Sequence, residues 1–259
     1  MTSQTALQQF GFKYGRNGAH ASRTMMLSEI TELFAVLPAS ASPAQYQQEI
    51  VQFNVLHKPT EKSRQLTWRH LCDLYGMDSS IPLFRVFRQL WDSDPEARLL
   101  LACQIGLTRD PLLRISKEKI LALEPGQVLP RVEMEELFKE RCHDRYSDAT
   151  LRSIAQNVNG TWTSAGYLQG RVKKVRSQPN VRPVNVAFAL FLGYLQGATG
   201  NRLFTSEWAR MLECTPDRLQ DLARIASQIG LINFKHSSDV MEVTFPNFLT
   251  REEEVWRHE

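Results

Sequence analysis

At 259 residues the chain is long enough for one large domain or two ordinary ones, and 42% apolar with 23% charged residues is the balance of a folded globular protein. It holds no apolar run as long as the roughly 18 residues of a bilayer-spanning helix, residues 1–9 lack the parts of a signal peptide, and the four cysteines lack CxxC spacing. These features set aside the membrane and disulfide-rich secreted classes and lead to the expectation of a cytoplasmic protein with reduced thiols.

In chain order, residues 1–20 are polar and glycine-rich and read as a mobile arm. An all-helical domain is expected over 21–145. Met25, Met26, Ile30, Leu33, Phe34 and Leu37 form a helical stripe that ends at Pro38. Ser42-Pro43 starts a helix expected to run to Pro59, and Thr60 caps another that Gly76 closes. Ile81-Pro82 opens a fourth, and Asp94-Pro95 a fifth that the Asp110-Pro111 step breaks. A short helix over 116–121, a Pro/Gly loop over 124–130 and a helix over 131–142 follow. Trp68, Tyr75, Phe84, Phe87 and Trp91 sit at helical spacing and read as core, while Arg64, Arg69, Arg85 and Arg88 read as ordinary solvated or paired charges.

Residues 146–182 stand apart in charge. Between Asp148 and Glu207 there is no acid, but seven basic residues: Arg152, Arg171, Lys173, Lys174, Arg176, Arg182 and Arg202. The chain's net charge is +3, so with those seven removed the remainder sums to −4. A polyanion should be drawn to this stretch. Ser147 or Asp148 caps a helix whose apolar residues Leu151, Ile154, Ala155, Val158 and Trp162 make one stripe. Its other face carries Arg152, Ser153, Gln156, Asn157, Asn159 and Thr163, side chains suited to base edges or phosphates. A plain solvated helix is the rival reading. Gly166 ends the helix, and a basic strand over 167–176 bends near Gly170. Ser177-Gln178-Pro179-Asn180 reads as a turn, with a short return strand expected over 181–184. Helix, cap and basic hairpin in this order suggest the second half of a winged helix, the helix in the major groove and the hairpin on phosphates. The rival for Lys173, Lys174 and Arg176 is an edge strand kept soluble by charge.

The layout recurs more weakly further on. Residues 184–195 are apolar nearly all round and read as a buried linking helix. Thr215-Pro216-Asp217 starts a helix that Gly230 ends, and strands over 231–234 and 240–245 flank a turn at His236-Ser237-Ser238-Asp239. Arg218 and Arg224 are balanced here by Asp217 and Asp221, which favours packing over DNA contact. The fold class expected is mainly α: a helical bundle followed over 146–259 by winged-helix elements with short β-hairpins, in units 146–182 and 183–250.

The sequence carries no GxxxxGK[ST] loop, no GxGxxG, no HExxH and no paired Cys/His set, Cys142-His143 being a bare neighbouring pair. No catalytic residue, metal or cofactor is therefore expected.

Several short motifs resemble the BrxA family of the bacterial BREX phage-defence systems. They are Tyr146-Ser147-Asp148-Ala149-Thr150-Leu151, Val158-Asn159-Gly160-Thr161-Trp162, Gly166-Tyr167-Leu168-Gln169-Gly170, Leu203-Phe204-Thr205-Ser206-Glu207-Trp208 and Gln228-Ile229-Gly230-Leu231-Ile232. Leu99-Leu100-Leu101-Ala102 and Arg109-Asp110-Pro111-Leu112-Leu113-Arg114 resemble its helical portion more loosely. The resemblance implies a non-enzymatic DNA-binding protein of a phage-defence system. The expectation is thus a double-stranded DNA-binding protein that uses Arg152, Gln156, Asn159, Arg171, Lys173, Lys174, Arg176 and Arg182. The alternative is a protein–protein adaptor for other defence or regulatory subunits. Oligomeric state is left open.

Overall fold

The computed structural model describes residues 2–142, 145–237 and 240–258. Ser238 and Asp239 of the expected second turn, and His143 of the Cys142-His143 pair, lie outside them. The fold is mainly helical, 59%, with small antiparallel sheets. No helix among the described residues is long and apolar enough to cross a membrane.

The chain opens with α1 (Gln4–Phe10), capped by the Ser3 hydroxyl and closed by Gly11 at φ +110°. A 3-10 turn (Ala19–Ala21) leads to α2 (Leu27–Val36) and α3 (Pro43–Val51), the latter begun by a capping box between Ser42 and Gln45. Then come α4 (Glu61–Tyr75), α5 (Pro82–Trp91), a 3-10 turn (Pro95–Ala97) and α6 (Arg98–Arg109). The next run is α7 (Pro111–Leu121), β1 (Val128–Leu129), α8 (Arg131–Cys142), α9 (Asp148–Ser164), β2 (Leu168–Gln169) and β3 (Lys174–Arg176). The last is α10 (Pro183–Leu195), α11 (Asn201–Phe204), α12 (Glu207–Arg210), α13 (Pro216–Gln228), β4 (Asn233–Ser237), β5 (Val240–Thr244) and α14 (Arg251–Trp256).

Proline opens five of these α-helices, α3, α5, α7, α10 and α13. Asp110, before Pro111, is the clearest case: its carboxylate accepts from the backbone N–H of Leu112 and Leu113, so α7 begins at Pro111 and is longer than the stretch over 116–121 expected for it. The α3 helix stops well short of Pro59, because Asn54 and His57 take left-handed φ.

Of the expected aromatics, Tyr75, Phe84, Phe87 and Trp91 are buried in the core, and Trp68 is partly buried against it. Phe34 meets Trp91 edge-on at 5.4 Å and Tyr75 stacks on Phe87 at 5.3 Å. Arg88 is buried with them, its guanidinium over the Phe34 ring and hydrogen-bonded to the carbonyls of Phe34 and Leu37 and to Asp92. Arg85 pairs with Glu253.

Three expectations change. Residues 2–20 are packed in place of forming a mobile arm: Phe10, Phe12 and Ala19 are buried, and Phe10 lies 5.5 Å from Trp256 of α14. The return strand expected over 181–184 is absent, since Pro183 opens α10; the hairpin folds back earlier, over 170–173. Finally, β1 pairs with β3, Val128 opposite Val175, to give a three-stranded sheet of order β1-β3-β2. The expected boundary at 145/146 therefore falls inside a unit running from α7 to β3. A single hydrophobic core continues from Leu7 to Phe248. Deep within it, the Gln104 amide donates to the Asn185 carbonyl and the Asn185 amide to that of Ala97, tying α6 to α10.

Candidate nucleic-acid interface

The Ser147 hydroxyl accepts from the backbone N–H of Thr150 and starts α9. The stripe Leu151, Ile154, Ala155, Val158 and Trp162 is buried, so Arg152, Ser153 and Gln156 are turned out to solvent. Gly166, at φ +89°, turns the chain into the hairpin; a Cβ there would sit 3.1 Å from the Pro179 Cα. Gly170, at φ +93°, makes the hairpin's tip, where a Cβ would collide with the Lys173 carbonyl. Arg171, Val172 and Lys173 stand out from this tip, Val172 being 93% exposed.

A groove of about 420 Å³ runs between α9 and the hairpin. Arg131, Gln156, Asn159, Arg171, Val172 and Lys174 line it, and no lining residue is acidic. Arg171 and Lys173 have no acidic partner among the described residues, and neither does Arg152 on the helix. The Lys174 ammonium donates to the Gly170 carbonyl at 2.7 Å, and burial pulls its pKa below the ordinary lysine value. Asn159 is only 6% exposed, and its Oδ1 has no hydrogen-bond partner.

Of the eight residues expected to touch DNA, Gln156, Arg171 and Lys174 line this groove, while Lys173 is exposed beside Arg171 at the tip and Arg152 is exposed one turn before Gln156 on α9. Asn159 borders the groove but is almost wholly buried, at the margin of the apolar stripe. Arg176 is removed from the surface. It is 1% exposed, donates to the carbonyls of Ile120, Tyr167 and Ser177, and pairs with Glu213. Arg182 is committed to Asp94 at 2.8 Å and Glu96 at 3.4 Å. Sequence reasoning missed Arg131, which borders the groove while pairing with Glu135 at 2.7 Å. Only the β1 pairing, invisible in a two-residue strand, brings Arg131 there.

The inner side of α9 is fixed by a polar chain. His20 Nδ1 lies 2.8 Å from Asp110 Oδ2, and His20 Nε2 lies 2.8 Å from Thr161 Oγ1. Thr161 Oγ1 also accepts from the Met25 N–H. Asn157 donates to the His20 carbonyl, and the Trp162 indole N–H to Ser116 at 2.7 Å. Gly18 permits this approach, since a Cβ there would fall 2.6 Å from Asp110 Cγ. Burial pushes the Asp110 carboxyl up, but the charge and hydrogen bonds of His20 outweigh it and hold it below its ordinary value.

The Asp–His–Thr order has the look of a nucleophile triad, yet His20, Asp110 and Thr161 are all buried and no substrate reaches the hydroxyl. It acts here as a strut. Burial also raises the Cys103 thiol and lifts that of Cys72 to about 12, so neither is a ready thiolate. Among the described residues no cluster of three or more His, Cys, Asp or Glu is placed to hold a metal.

The second helix–hairpin unit, α10 to β5, presents a different outer face. Arg224 pairs with Asp221 at 2.6 Å and Lys235 with Glu242 at 4.0 Å, while Ile225, Ile229 and Val240 are exposed. In comparisons with known proteins, no family model and no curated protein matches the chain.

Proposed function

We propose that this chain is a non-enzymatic double-stranded DNA-binding protein of a BREX-like phage-defence system. In this reading α7–β1–α8–α9–β2–β3 is a winged helix whose α9 enters the major groove while the β2–β3 wing lies along phosphates. The observation that carries it is the acid-free groove between α9 and the hairpin, lined by Gln156, Arg171 and Lys174, with Lys173 exposed at the tip beside Arg171 and Arg152 exposed one turn before Gln156 on the helix. Cations held clear of carboxylates are what release counterions from a duplex. The element order and the sheet order β1-β3-β2 add support, and the motifs resembling the BrxA family supply the setting.

The test is an anisotropy titration of labelled duplex of arbitrary sequence with wild type and Arg171→Ala/Lys173→Ala/Lys174→Ala, at several salt concentrations. The expected outcome is salt-dependent wild-type binding. In the variant, the slope of log K against log salt should fall by about 0.9 for each lost phosphate contact, up to about 2.7. Equal affinity in the two proteins would remove the wing from the interface. The adaptor reading draws on the second unit, whose exposed Ile225, Ile229 and Val240 beside neutralised charges suit a protein partner better than a phosphate backbone.

A further inference from the structure

A second concavity, of about 510 Å³, opens where the turn over 13–19 faces α4. Its walls include Lys13, Arg16, Arg69, His70 and Asp73. Lys13 and Asp73 satisfy each other at 2.5 Å. Arg16 and Arg69 are exposed and have no acidic partner among the described residues. The net charge left at the opening is therefore positive. His70 is a buried side chain in this wall, only 7% exposed. Its Nε2 lies 3.4 Å from the Ser22 hydroxyl, and its Nδ1 has no partner. Burial, then the charges of Arg23 and Arg69, hold its pKa below the ordinary histidine value, so the ring is neutral at pH 7. The Ser22 hydroxyl can turn to donate to Nε2, which leaves the ring proton on Nδ1. Gly15, at φ +132°, sets the shape of the turn.

A buried imidazole nitrogen without a partner beside two free guanidiniums lacks an acceptor that carries negative charge. We propose that this concavity is a phosphate-binding site, separate from the α9 groove, in which Arg16 and Arg69 grip a phosphate oxyanion and His70 donates to it. The phosphate belongs either to a bound duplex or to a free phosphate. The duplex source is within reach: Ala19 is in this wall and Thr24 in the first groove, and five residues span at most about 17 Å. That is the rise of about five base pairs.

The test uses the full chain as wild type, Arg16→Gln/Arg69→Gln and His70→Leu. Melting is followed in inorganic phosphate and in chloride matched for pH and ionic strength, and each protein is titrated with labelled duplex. The proposal expects phosphate to raise the wild-type melting temperature above that in chloride, and both variants to lose this shift. Both should melt in chloride no lower than wild type, His70→Leu because it removes a polar atom that the protein leaves unsatisfied. If His70→Leu does not fold, the surface arginine variant carries the test alone. A phosphate shift lost in the variants with unchanged duplex affinity identifies a free phosphate as the ligand; a fall in duplex affinity identifies the DNA backbone. No phosphate-specific shift together with wild-type duplex affinity in the arginine variant overturns the proposal. The melting arm needs no duplex, so its result is independent of whether the wing binds DNA.

Discussion

The two helix–hairpin units share a plan and differ in what they show to solvent. In the first, α9 turns Arg152 and Gln156 outward and the tip over 170–173 lifts Arg171 and Lys173 away from any carboxylate. In the second, the corresponding helix α13 pairs Arg224 with Asp221, and the hairpin pairs Lys235 with Glu242. One helix–hairpin order thus yields one face whose cations stand clear of carboxylates and one whose charges are spent locally. The lesson is that the plan does not specify the partner; the placement of acids does.

The largest effect expected on this comparison comes from Arg176, which belongs to the first unit and pairs with Glu213 in the second. Arg176→Ala leaves that carboxylate without its cation and takes a donor from the carbonyls of Ile120, Tyr167 and Ser177, and should cost about 3–5 kcal/mol in urea unfolding. A loss below about 1 kcal/mol would show that the units do not depend on this joint.

Next is Asp110, which caps α7 and anchors His20. Asp110→Ala should cost about 2–4 kcal/mol at pH 7. Because the folded pKa of Asp110 is depressed, its contribution is fully present above the ordinary carboxylate value near about 3.9 and is lost as pH falls through the lower folded value. The gap between wild type and variant should therefore hold constant at neutral pH and close only in acid. A gap that narrows between pH 7 and pH 5 would point to a different group.

A third experiment sets the units directly against each other. Arg224→Ala/Lys235→Ala in the second unit should leave duplex affinity and its salt slope at wild-type values, in contrast to the wing variant. A matching loss of slope would mean that both faces contact DNA. The smallest effect is expected at Asn159. Replacing it with leucine removes an orphaned carbonyl and should stabilise the free protein by about 1 kcal/mol, while weakening duplex binding through loss of a polar side chain that borders the groove. Equal affinity would leave Asn159 a packing residue.

Much of the fold is written locally. Asp110-Pro111, Thr215-Pro216 and Ser42-Pro43 announce helix starts because cap and proline act within one turn. The strand β1 was hidden because Val128 and Leu129 sit in a Pro/Gly loop and become a strand only by pairing with residues 174–175. The site divides the same way. The acid-free stretch and the phase of α9 are legible; the burial of Asn159, at the margin of the stripe, is not. Nor are the fates of Arg176 and Arg182, since their partners lie 37 and 88 residues away. Packing of the arm was missed because His20 finds Asp110 and Thr161 only in three dimensions.

That strut has a consequence for how the molecule comes to be made. His20 and Thr161 are separated by 141 residues, in a protein whose helices otherwise form from local contacts. At ribosomal rates of about 5–20 residues per second, the segment around His20 waits about 7–28 s before the helix it braces has been synthesised. The brace forms ahead of the contacts to α14, such as that of Phe10 with Trp256. The orientation of α9 is therefore fixed only after the α2–α6 bundle has had time to assemble.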